Sequence, residues 1–210
     1  TEAPAKRIGG AKVRLSPAML ARALVVMTAA SVTGGLLFNL TTNGNGQLLT
    51  ERFRGVIEDP ALLGALLALV YAVASVAQVV VGWLIDRFAL KAFFMGIALV
   101  QVPLLVLAAH ASGWWLFLVL VGVMVSIFGT IPFIDFMIVR YVDDRIRSRV
   151  AGLRLTVSLG ISSLAVWSLG PMVKSMGFGS LLMMMAGIAA CTATILCLLP
   201  GRAAEQRASV

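Results

Sequence analysis

The sequence predicts an all-α integral membrane protein, a bundle of six transmembrane helices. Three observations carry that prediction. Apolar residues fill 60% of the 210 positions and charged residues only 12%, against roughly 25% charged in a soluble domain. The apolar residues come in runs of about 20 or more, the length that crosses roughly 30 Å of hydrocarbon. The charges gather between those runs, and mean hydropathy is +0.99.

The elements follow in order. Ser16-Pro17 offers an N-cap and a first-turn proline, so a first helix is expected over 17–40. The segment 41–59 (TTNGNGQLLTERFRGVIED) is polar and Gly/Asn-rich and reads as a loop. Asp59-Pro60 is a second cap pair and opens a helix over 60–85. Further helices are expected over 90–109, with Pro103 inside, and over 114–139, with Pro132 inside. The last two are expected over 150–173 and 180–199, ending at Pro200-Gly201. Internal prolines are tolerated in spanning helices when neighbours satisfy the freed carbonyls. The reading is one membrane domain over 17–200, a linker over 1–16 and a tail over 201–210, the last two cytoplasmic.

Basic residues set the expected orientation. The N-terminal segment has four, the turn after the second helix two (Arg87, Lys91), the loop after the fourth helix four and the tail two, twelve in all. Arg52, Arg54 and Lys174 are three on the other side. Both termini are therefore expected in the cytoplasm. Trp114 and Trp115 fall at the outer interface, where amphipathic rings are favoured.

The net charge of +8 is accounted for by topology. No basic stripe with interleaved aromatics points to nucleic acid. Cys191 and Cys197 both lie in the last apolar run and make no metal spacing or disulfide framework. No nucleophile elbow, zinc-binding helix or phosphate loop is present, so neither enzyme chemistry nor a cofactor is expected. The chain starts at Thr1, with Lys6, Arg7, Lys12 and Arg14 before any apolar run, and reads as a segment of something longer.

The sharpest pattern is Gly82-Trp83-Leu84-Ile85-Asp86-Arg87-Phe88-Ala89-Leu90-Lys91, in the short turn between the second and third helices. Glycine lets helices approach closely, and an Asp followed by Arg and Lys offers a charged latch at the membrane surface. The pattern resembles the G-x-L-x-D-R-x-G-R-K signature of the major facilitator superfamily of secondary transporters. Gly82, Leu84, Asp86, Arg87 and Lys91 match; Ala89 and Leu90 depart from it. The charged segment Arg140–Gly152 is similar to the short loop before that family's eleventh helix. The resemblance covers the chain as helices seven to twelve. It implies the C-terminal half of a transporter that alternates access around a midplane site. Its implied partners are the lipid bilayer, a missing N-terminal six-helix half and a small solute. The implied location is a bacterial inner (plasma) membrane. Within it, Gly82, Asp86, Arg87, Lys91 and Arg140 are gating candidates, with Asp86 pairing Arg140 when the cytoplasmic side is closed. The alternative is that each is a solvated topology charge.

Two polar faces are candidate substrate contacts. On the first helix Thr28, Ser31, Gly35, Asn39 and Thr42 fall within about 80° at 100° per residue, and Asn43 adds to the outer end. On the second, Tyr71, Ser75, Gln78 and Gly82 share a face. Such groups line a water-filled cavity or pack helices together. They are mostly neutral amides and hydroxyls, which points away from a strongly charged solute. Asp135 is the one acidic residue within an apolar run. It is a candidate for proton coupling. It lies only about 7.5 Å deeper than Arg140, so a structural ion pair is the other reading. A complete six-helix channel or a membrane-embedded enzyme is the rival to a transporter half.

Overall fold

The computed structural model describes residues 17–85, 87, 90–141 and 144–197. Within these helices the side chains of 17–20, 23, 90–91, 133–141 and 144–147 fall outside the description. The described residues form five α-helices and no strand: α1 (Pro17–Arg52), α2 (Pro60–Ile85), α3 (Leu90–His110), α4 (Gly113–Tyr141) and α5 (Asp144–Cys197). All five contain stretches long and apolar enough to cross a membrane, which marks an integral membrane protein. Their outward positions are apolar as well; Val79 and Trp167 are 75% and 79% exposed. In lipid such surface carries no penalty.

Three boundaries differ from the sequence expectation. The first helix does not stop at residue 40; α1 runs on to Arg52. The supposed loop is helical because its polar groups are satisfied on the spot. Thr41, Thr42 and Thr50 donate to the carbonyls four residues back, and Asn43 does the same to Asn39. Its glycines and leucines are packing residues: Gly44, Leu48 and Leu49 are buried, and a Cβ on Gly44 would stand 3.6 Å from the Phe178 ring. The real turn spans Phe53 to Asp59, with Gly55 at φ 82.

The charged segment between the fourth and fifth helices is also mostly helical. α4 continues to Tyr141 and α5 opens at Asp144. Last, the two expected final helices follow each other without a loop, as two helical arms of α5 that meet at Gly177, the one residue of the element outside the helical region (φ 76, ψ 165). The reversal happens there. Gly35 on α1 faces Ser158 and Ser162, and Gly44 faces both Leu169 and Phe178. Beyond Gly177, Ala193 and Leu196 join Val26 and Met27 in one cluster. The arm before Gly177 thus runs alongside α1 in the same direction, and the arm after it runs back.

The second cap behaves as expected, while Ser16 of the first lies outside the described residues. Asp59 Oδ1 accepts from Ala61 N at 2.9 Å, and Pro60 needs no donor in the first turn. At the same end of the bundle Arg52 Nη2 donates to Ala109 O at 3.2 Å, one of the last carbonyls of α3. Gly179 lies against both, because a Cβ there would be 3.4 Å from Ala109 O and 3.6 Å from Arg52 Nη2. This end therefore ties α1, α3 and α5 together.

Nearby, Asn45 is 1% exposed. Its Nδ2 donates to Tyr71 Oη (3.4 Å) and contacts Met124 Sδ (3.3 Å), while Tyr71 Oη donates to Thr42 O at 3.1 Å. The network joins α1, α2 and α4 through one buried amide. Replacing Asn45 with alanine removes it and is expected to cost about 1–3 kcal/mol, read as a lower thermal unfolding midpoint in detergent. The exposed Asn43→Ala variant should stay within about 0.5 kcal/mol of the parent. Equal effects at the two positions would contradict this account.

Candidate functional site

Midway along α1, where Gly34 and Gly35 remove side-chain bulk, a cleft of about 410 Å³ opens between three helices. α1 supplies Ser31, Gly34, Gly35, Phe38 and Asn39; α4 supplies Thr130 and Ile131; α5 supplies Arg154, Leu155, Ser158, Leu159 and Ser162. The glycines matter because the helices almost touch. A Cβ on Gly35 would lie 2.7 Å from Ser158 Oγ and 3.3 Å from Ser162 Oγ.

The walls are held by ordinary helix chemistry. Asn39 Nδ2 donates to Gly35 O at 2.9 Å, which leaves its carbonyl oxygen and second N–H available. Thr130 Oγ1 donates to Ile127 O at 2.7 Å. Phe38 is braced by Phe128, with ring centroids 5.3 Å apart. Ser31 is the exception. Thr28, Thr33, Thr41 and Thr42 on the same helix each donate to the carbonyl four residues back. Ser31 is 5% exposed and its Oγ has no hydrogen-bond partner among the described residues. A buried hydroxyl left so costs about 1–3 kcal/mol, and here it belongs to a cleft wall.

Arg154 is half-buried among these neutral groups. Among the described residues the lining contains no Asp or Glu. A guanidinium beside hydroxyls and an amide gives the described lining several donors.

Of the residues singled out from the sequence, Ser31, Gly35 and Asn39 line this cleft. The other described ones lie elsewhere. Thr28 and Asn43 are exposed and bonded to backbone. Thr42 sits over the Tyr71 network, and Tyr71 belongs to that network. Gln78 is half-buried on α2, outside the cleft. In the expected latch, Asp86 lies outside the described residues, as do the side chains of Lys91, Arg140 and Asp135. Arg87 is exposed and its guanidinium covers the Trp83 ring at 3.8 Å. Among the described residues a Cβ on Gly82 would meet nothing within 4 Å, so no close helix approach is seen there. Gly35 takes that role instead.

Sequence reasoning missed Arg154, Ser158 and Ser162. Their signal was present as an i, i+4, i+8 row. A helix started at residue 150 puts Arg154 near its end, whereas from Asp144 it stands nearly three turns inside.

No family model, curated protein or solved structure matches this chain.

Proposed function

We propose that the chain is one six-span half of a secondary active transporter that moves a small solute by alternating access. In this reading the two arms of α5 are separate spans hinged at Gly177. Both termini face the cytoplasm of a bacterial inner membrane, as the twelve-to-three distribution of basic residues favours. The observation that carries the reading is the polar cleft at the midpoint of α1, set within helices that are otherwise apolar. Secondary transporters hold their solute near the bilayer midplane, between helices that move. The Gly82–Lys91 pattern adds the likeness to the major facilitator superfamily. A second half would complete the cavity, and Asp135 stays a candidate for proton coupling.

The test is reconstitution of the full-length protein in liposomes with a panel of small solutes, with and without a pH gradient. Saturable uptake that a Gly35→Leu variant loses is the expected result. Non-saturating ion conductance would make the chain a channel and end the transport reading. For Asp135, the Asp135→Asn variant should lose gradient-driven uptake while keeping solute exchange; gradient-driven uptake at the parent rate would reduce Asp135 to a structural role.

A further inference from the structure

Midway along α1 and the first arm of α5, hydroxyls outside the cleft turn back onto their own helix. Thr33 and Thr41 do so on α1, and Thr156, Ser163 and Ser168 on α5. The serines of the cleft depart from this habit. Ser31 Oγ is buried with no hydrogen-bond partner among the described residues. Ser158 and Ser162 point across the helix contact, with Oγ atoms 2.7 Å and 3.3 Å from where a Gly35 Cβ would stand. Ser158 closes the contact with Gly35. Ser162 stands one turn beyond it and is 5% exposed, as Ser31 is. Beside Ser162, the Asn39 amide folds back to donate to Gly35 O. The cleft is therefore polar on both sides of the Gly35–Ser158 contact, with Ser31 two turns, about 12 Å, before Asn39 along α1.

We infer that the cleft binds an uncharged open-chain polyol, gripped through a vicinal pair of hydroxyls. After its bond to Gly35 O, the Asn39 amide keeps one N–H and its carbonyl oxygen. A vicinal diol matches that pair: one hydroxyl donates to the amide oxygen and its neighbour accepts from the N–H. Ser162 stands beside them as a further donor and acceptor. Ser31 meets a hydroxyl farther along the same ligand, and the carbon chain rests on Phe38. Buried polar groups are satisfied as a rule, and a ligand with a hydroxyl on every carbon satisfies these at several levels at once. An extended chain also fits the spread from Ser31 to Asn39, which a compact ligand with one polar end does not. Arg154 is already engaged, and the groups left for a ligand in the described lining are neutral. A volume of about 410 Å³ lies in the range of small-molecule sites.

This inference deepens the transport reading and rests on the cleft being its solute site. Binding is measured first, on the purified full-length protein, with radiolabelled sorbitol and unlabelled competitors. Xylitol is expected to displace sorbitol. The diol 1,6-hexanediol keeps the chain length and both end hydroxyls but has no vicinal pair, and should need at least about tenfold more. Gluconate, which carries a carboxylate at one end, should bind no more tightly than sorbitol. Asn39→Ala should weaken sorbitol about tenfold, and Ser162→Ala and Ser31→Ala about fivefold each. Thr33→Val removes a hydroxyl spent on its own helix and should stay within about twofold. Displacement by 1,6-hexanediol as readily as by xylitol overturns the inference without any variant, and so does failure of sorbitol to bind. Gluconate binding at least about tenfold tighter than sorbitol overturns it in favour of an anion held by charge. Uptake in liposomes separates the two claims. Polyol binding with this pattern but no transport leaves the ligand assignment standing and removes the transporter. Saturable uptake of another solute, blocked by Gly35→Leu and indifferent to Asn39→Ala and Ser162→Ala, does the reverse.

Discussion

Gly177→Val is expected to lower the stability of the bundle by about 3 kcal/mol. At φ 76 and ψ 165 the residue occupies a region open essentially to glycine, where a side chain costs of order 1–3 kcal/mol. Valine is placed at the upper end because its branched Cβ is the worst fit to positive φ. The strain cannot relax locally. Phe178 on one side and Leu169 on the other are both buried against Gly44, so any shift of the turn unpacks α1. The measurement is thermal unfolding of the purified protein in detergent, with Gly187→Val as the comparison. Gly187 is helical and exposed, and a Cβ there meets nothing within 4 Å among the described residues. The same substitution should therefore be near neutral at 187. Equal loss at the two positions would mean that Gly177 is not a conformational requirement.

The second large effect is functional. Gly35→Leu is expected to reduce solute uptake at least about 100-fold with the protein still folded and inserted. The first carbon of the new side chain already meets Ser158 Oγ at 2.7 Å, and the remaining atoms have only the cleft to enter. Gly35→Ala should be milder, because the serine hydroxyl can rotate away; overpacking of this size costs about 1–3 kcal/mol. Ser158→Gly removes the atom that clashes, so the Gly35→Ala, Ser158→Gly double variant should recover most of the lost uptake. That non-additivity is the signature of direct contact. Wild-type uptake by the leucine variant would place the solute path elsewhere.

Hydropathy and charge made the membrane class, the helix start at Pro60 and the polar stripe of α1 legible, because each rests on residues close together in the chain. Three of the stripe's residues, Ser31, Gly35 and Asn39, line the cleft. The stripe itself could not say which of its members face a cavity. Thr28 and Thr42 carry hydroxyls like Ser31, yet theirs turn back onto their own helix. That choice depends on what stands opposite.

The same limit explains the misread loop. Thr-Thr-Asn-Gly-Asn-Gly signals a break wherever the chain is free to choose. Here Asn45 finds Tyr71 and Met124, and Gly44 accepts Phe178. Helix is then the conformation that satisfies the backbone polar groups in an apolar surrounding. By itself the sequence determined an α-helical membrane protein, because a long apolar run leaves the backbone no solvent but its own hydrogen bonds. Tertiary structure alone decided where α1 ends, which glycine is the close contact and that Arg154 stands in the cleft with Ser31. Those facts are distances between helices, set by which side chains fit against one another.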